Sequence, residues 1–121
     1  MAPDNAKIFW AEDDQKLLKT RTKFLEEAGH KVVITANSLE SALSNIPDLK
    51  KSGINVAIVD GNLSGTGTSV KDGEKIAQEI KNQHPNIAVI GSATEDPIQA
   101  ADVNCLKING VSKLVEAVTQ A

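Results

Sequence analysis

Tyrosine is absent from these 121 residues, and Phe9, Phe24 and Trp10 are the only aromatic side chains. Single-stranded nucleic acids are gripped by stacking on aromatic faces, so this composition argues against a single-strand-binding module. A basic surplus is missing too. Thirteen Lys and Arg against 16 Asp and Glu leave a net charge of -3, the wrong sign for holding a phosphate backbone. Cysteine occurs once, at Cys105, which excludes an internal disulfide and fits a reducing compartment. Cys105 itself reads as a small buried hydrophobe rather than a nucleophile. No apolar run is long enough to span a bilayer, and the opening Met1-Ala2-Pro3-Asp4-Asn5 lacks the pattern of a signal peptide. The expected location is the cytoplasm, with no membrane partner. Repeats, low-complexity tracts and interdomain linkers are also missing, so residues 1–121 read as one domain that buries a core without disulfide or structural metal.

What is present is an alternation. Lys7 to Ala11 reads as a strand ending in the acids Glu12-Asp13-Asp14. A helix follows, with Leu17, Leu18, Arg21, Leu25 and Ala28 at helical spacing and Gly29 as its stop. Lys31 to Thr35 is a second strand. Asn37, with Glu40 three residues on, suggests the start of a second helix whose stripe is Leu39, Ala42, Leu43, Ile46 and Leu49. Val56-Ala57-Ile58-Val59 has the continuous apolar character of a strand buried on both faces, and Asp60 ends it, followed by the breakers Gly61 and Asn62. Ser64 to Asp72 is a long loop of Ser, Gly and Thr. A third helix spans Gly73 to His84, with Ile76, Ala77 and Ile80 inward and Pro85 as its stop. Ile87 to Gly91 is the fourth strand, followed by Ser92-Ala93-Thr94. Pro97 to Ala101 holds little more than one helical turn. A fifth strand ends near Lys107, and Val111 to Thr119 is a last helix with Val111, Leu114, Val115 and Val118 inward.

Five strands alternating with helices over short connections predict parallel βα units with right-handed crossovers and helices on both faces of the sheet. Strand order is not itself legible. In the order 2-1-3-4-5 the switch point lies between the first and third strands, and Glu12, Asp13 and Asp60 share one crevice. Three neighbouring acids repel one another and need a cation. An all-oxygen ligand set favours a hard ion, Mg²⁺ above all. The other strand ends add the hydroxyl of Ser92 and the ammonium of Lys107. A carboxylate nucleophile, a metal, a hydroxyl and a lysine at one sheet edge are the parts of a phosphoryl-transfer site. Singly, each has a plainer role: Asp60 as a turn residue, Ser92 as a helix cap, Lys107 as a surface lysine and the acids as a solvated rim.

In their order, these motifs resemble the receiver domain of two-component response regulators, chemotaxis-regulator-like, over nearly the whole chain. The residues that carry the resemblance are Glu12-Asp13-Asp14, Asp60-Gly61-Asn62-Leu63, Ser92-Ala93 and Lys107. The resemblance implies a flavodoxin-like α/β fold, a doubly wound five-stranded parallel sheet in the order 2-1-3-4-5, here with a shortened fourth helix. It implies Asp60 as phosphoacceptor from a histidine kinase or histidine phosphotransfer protein, with slow autodephosphorylation. Glu12, Asp13, Asp60 and the backbone carbonyl of Asn62 would hold Mg²⁺, with Mn²⁺ as a substitute. Ser92 would be the switch hydroxyl, Lys107 the phosphoryl partner, and Asn62 and Thr94 the positions that tune acyl-phosphate lifetime. An output domain or effector protein would read the state.

Several residues depart from the family pattern. Asn104 stands at the switch position three before Lys107, where an aromatic is usual, and Ile108 stands where a cis proline usually follows the lysine. Ser64 replaces a common proline, the loop to Gly73 is long, and the interval from Ser92 to Lys107 is short. These departures predict a remodelled output surface and leave open a receiver-like interaction module that works without phosphorylation. An aspartyl-phosphate hydrolase of the haloacid dehalogenase type would carry an acid where this chain has Asn62. Lys16, Lys19 and Lys23 predict a solvated helix face, and the resemblance implies that the first helix, with Leu17 and Leu18, is where a kinase partner docks. His30 and His84, at element ends, are expected in solvent. Trp10 is expected in the core or at the rim.

Overall fold

The computed structural model describes residues 6–12, 15–60, 71–93, 98–106 and 118, with Asp60, Lys71, Asp72, Ala93, Cys105 and Leu106 described by backbone only. The elements run β1 (Lys7–Ala11), α1 (Gln15–Glu27), β2 (Lys31–Ala36), α2 (Leu39–Asn45), a 3₁₀ turn (Ile46–Asp48), β3 (Val56–Asp60), α3 (Lys71–Gln83), β4 (Ala88–Ala93) and β5 (Val103–Leu106). All strand pairs are parallel and the order is β2-β1-β3-β4-β5. This is the doubly wound sheet that the alternating pattern predicts.

The unbroken apolar run of β3 has a direct cause. Ala57 and Val59 enter one core cluster with Phe9, Ala42, Ile76, Ala77 and Ile80, while Val56 and Ile58 enter the other with Ile8, Trp10, Leu18 and Leu25. Helices α2 and α3 thus cover one face and α1 the other, so Val56, Ala57, Ile58 and Val59 are all buried. Each fully buried Ile or Val contributes about 1.5–3 kcal/mol. Val118, which falls in the expected last helix, is helical and fully buried in the α1-side cluster. The other residues of that helix lie outside the described residues, as do residues 64–70 of the expected loop Ser64 to Asp72; Lys71 and Asp72, expected in that loop, instead open α3. No described helix is long and apolar enough to cross a membrane.

Local chemistry sets the element ends. Gly29 adopts φ 95°, which lets the His30 N–H reach Leu25 O (3.0 Å) and the Gly29 N–H reach Glu26 O (3.0 Å), closing α1 in a Schellman arrangement. The cap of α2 is Ser38, not the expected Asn37. Ser38 is extended (φ -150°, ψ 162°) and its hydroxyl accepts the Ser41 N–H at 3.1 Å. A cap serves the amide three residues on, and here that amide is Ser41. Ala28, expected inward on α1, is exposed beyond the helix end.

Both histidines depart from expectation. His30 is buried, and its Nδ1 accepts the Ala6 N–H at 3.0 Å, tying the start of β1 to the start of β2. His84 is half-buried, with Nε2 2.7 Å from Ile46 O. Each ring stands at an element end where backbone groups need partners, and an imidazole supplies one.

The fourth helix, expected to be shortened, has no helical residue among those described. Residues 98–102 form a turn and bends, with the Ala101 N–H bonded to Ile98 O at 3.2 Å. A side-chain clamp holds the ends of this connection. Lys81 Nζ donates to Asp102 Oδ2 (2.8 Å) and to Ile87 O (3.1 Å), and Asp102 Oδ2 also accepts the Val89 N–H at 2.8 Å. Partial burial pushes the Asp102 carboxyl up. The hydrogen bond from Lys81, the Val89 N–H and the charge of Lys81 outweigh that and hold it below the ordinary aspartate value. A lowered value in the folded state means that the pair stabilises above the ordinary aspartate range and stops doing so as pH falls through the folded value.

Two measurements follow. Thermal melts of Lys81→Met near neutral pH should show a loss of roughly 2–5 °C, modest because both side chains are partly exposed. That loss should shrink as pH falls below the ordinary aspartate range and Asp102 is protonated. Denaturant unfolding of Ile58→Ala should cost about 2–5 kcal/mol, since a fully buried strand leaves a cavity with little room to collapse.

Candidate functional site

The strand register determines which residues meet at the carboxyl edge of the sheet. Ala11 of β1 pairs with Val59 of β3, so Glu12 and Asp60, each one residue further, stand level on neighbouring strands. Asp60 pairs in turn with Ser92 of β4, and Ser92 with Cys105 of β5. A carboxylate residue, a second carboxylate residue and a hydroxyl residue therefore occupy one level across three adjacent strands. The level lies at the switch point of the sheet, where the chain leaves β1 toward β2 on one side and β3 lies on the other.

Each position is built by its strand. Glu12 is fully buried, and its N–H donates to Ala36 O at 2.9 Å, which fixes the residue beyond β1 against the end of β2. Glu12 is at 0 % exposure and so is not part of a solvated rim; a carboxylate buried this way is costly unless cations or donors compensate it. Trp10, two residues back, is fully buried in the α1-side cluster. It belongs to the core, not the rim. Ser92 is 1 % exposed, so its hydroxyl is placed by the packed sheet and not by a mobile loop.

The structure brings together Glu12, the backbone of Asp60 and Ser92. The side chain of Asp60 and the residues Asp13, Asn62, Thr94, Lys107 and Ile108 lie outside the described residues. Among the described residues no three His, Cys, Asp or Glu side chains form a metal-binding cluster. Glu12 alone supplies a described acidic oxygen donor at the switch point, a ligand type suited to a hard divalent cation.

Asn104, at the expected switch position, pairs with Gly91 of β4, the residue before Ser92. Its Oδ1 accepts the Ile98 N–H at 2.8 Å, and its Nδ2 donates to Ile98 O at 3.0 Å. Gly91 and Glu74 carry no role in the motif pattern. Gly91 lies under Asn104: a Cβ there would collide with Asn104 Oδ1 and stand 3.2 Å from Ile98 Cβ. A glycine inside an apolar strand is the signal that could have marked this close approach. Glu74 of α3 accepts the N–H groups of Gln99 and Ala100, each at 2.9 Å. No local sequence signal marks that contact, because it spans from α3 to the far side of β4.

Comparison with known proteins gives one kind of answer. No family sequence model matches the chain, and no curated protein matches it. Solved structures do. A receiver domain protein (CheY-like) from Methanospirillum hungatei JF-1 superposes with a TM-score of 0.75 at 20 % identity, over 95 % of this chain and 91 % of that one. A LuxR-family DNA-binding response regulator from Staphylococcus aureus gives 0.75 at 22 % identity, over 95 % and 97 %. The BeF3-activated DrrB receiver domain gives 0.72 at 22 % identity, over 99 % and 97 %. Sheet order, the switch-point carboxylate and these superpositions agree: the chain has the fold of a response regulator receiver domain.

Proposed function

We propose that this protein is a phosphoaccepting receiver of a two-component or phosphorelay system, with Asp60 as the acceptor. The observation that carries the reading is the register that sets Glu12, Asp60 and Ser92 level at the switch point of a receiver fold. In the reaction, a carboxylate oxygen of Asp60 attacks the phosphorus of a phosphohistidine. The P–N bond breaks, the electron pair returns to the imidazole, which takes up a proton, and an acyl phosphate remains on Asp60. Glu12, Asp13, Asp60 and the carbonyl of Asn62 would hold Mg²⁺, or Mn²⁺ in its place, and the bound ion offsets charge on the transferring group. Ser92 would hydrogen-bond a phosphoryl oxygen, Lys107 would pair with another, and Asn62 and Thr94 would set access of water to the acyl phosphate. The donor is a histidine kinase or a histidine phosphotransfer protein in the cytoplasm. The reader is an output domain or effector protein. One neighbour in structure is itself a DNA-binding response regulator, an output of that kind.

A second reading, an interaction module that works unphosphorylated, draws on the clamp of Asn104 to Ile98 and on the turn that stands where a fourth helix was expected. Intact signalling by Asp60→Asn would favour it.

Two experiments test the first reading. Incubation with acetyl phosphate and Mg²⁺ should add one phosphoryl group, seen by intact mass, and Asp60→Ala should add none; an unmodified wild type would count against it. Mg²⁺ should also change the fluorescence of Trp10, the single tryptophan, two residues before Glu12 in the chain. Glu12→Gln should raise the half-saturating Mg²⁺ concentration at least about tenfold, and chelation should reverse the signal.

A further inference from the structure

Five consecutive backbone amides, from Ile98 to Asp102, all have partners, and three of those partners are side chains from other elements. Ile98 N–H bonds to Asn104 Oδ1 (2.8 Å), Gln99 N–H to Glu74 Oε1 (2.9 Å) and Ala100 N–H to Glu74 Oε2 (2.9 Å). Ala101 N–H bonds to Ile98 O (3.2 Å) and Asp102 N–H to Val89 O (2.8 Å). A helix would satisfy such amides within itself. Residues 98–102 are not helical, and most of these amides turn to α3, β4 and β5 instead.

The fit at Asn104 is two-sided. Its amide accepts from Ile98 N–H and donates to Ile98 O (3.0 Å), so the opposite orientation would set donor against donor. The side chain lies in a notch that only glycine at position 91 leaves open. Ile98 itself is fully buried in the α2–α3 core, which pins the turn from below. Glu74 holds the next two amides with both carboxylate oxygens, joining the turn to α3.

We propose that Asn104, Glu74 and the Gly91 notch form a fixed latch on the β4–β5 connection. Residues 98–102 then keep one arrangement whatever the state of Asp60, and residue 104 does not move with Ser92. The independence from Asp60 rests on the phosphoacceptor reading; the latch itself does not.

Amide hydrogen exchange on the full chain tests both parts. In the untreated protein, Asn104→Ala should speed exchange at Ile98 by about tenfold, the loss expected for two neutral hydrogen bonds. Glu74→Gln keeps one acceptor oxygen and should release only one of Gln99 and Ala100. Gly91→Ala should release Ile98 as well, because its Cβ displaces the Asn104 side chain. Unchanged exchange in both Asn104→Ala and Glu74→Gln would overturn the latch. With Mg²⁺ and beryllofluoride added, exchange near Asp60 and Ser92 should slow while Ile98, Gln99 and Ala100 stay as they were. A change at those three amides would overturn their independence from Asp60. Beryllofluoride without effect on any amide would count against the phosphoacceptor reading, and the variants would still decide the latch.

Discussion

The register of β3 between β1 and β4 is the constraint on which the rest depends. Side chains alternate between the faces of a strand, so a slip of one residue would turn Ala57 and Val59 into the cluster that holds Val56 and Ile58. It would also move Asp60 out of line with Glu12 and Ser92. The apolar burial that stabilises the sheet and the alignment that makes the site are thus one requirement. The core supplies the energy, and the polar residues at the strand ends are carried to their places by it.

Single side chains hold the described part of the β4–β5 connection. Residues 98–102 form no helix, and Glu74, Asn104 and the Lys81–Asp102 pair supply the hydrogen bonds there. Such contacts cross long sequence distances and depend on exact fit, as the notch at Gly91 shows. The β5 edge beyond them is sparsely covered among the described residues, with Val103 44 % exposed. The two regions therefore rest on different foundations: the strand ends on the packed sheet, the β4–β5 connection on a few polar clamps.

Much of this was legible in the sequence, for physical reasons that differ by residue. β1 and β3 could be read from their apolar runs because burial on both faces leaves no polar positions, and Gly29 could be read as a helix stop because a left-handed residue is needed there. Glu12, Asp60 and Ser92 were legible because each ends a strand, and the fold brings strand ends together. His30 and His84 were misplaced because local pattern does not say which backbone group across the fold lacks a partner. Ser38 was overlooked for Asn37 because the two are equally good caps, and only the backbone chooses between them. The roles of Glu74 and Asn104 were hidden for the same reason as the histidines: their partners lie on other elements.

The central claim is that the strand-end alignment makes Asp60 the phosphoacceptor. Borohydride reduction of the acetyl-phosphate-treated protein, followed by peptide mapping, tests it most directly, because the reagent converts an aspartyl phosphate to homoserine in place. The account predicts homoserine at position 60 and at no other aspartate. Homoserine at Asp13 or Asp14 instead, or at no position, would contradict it.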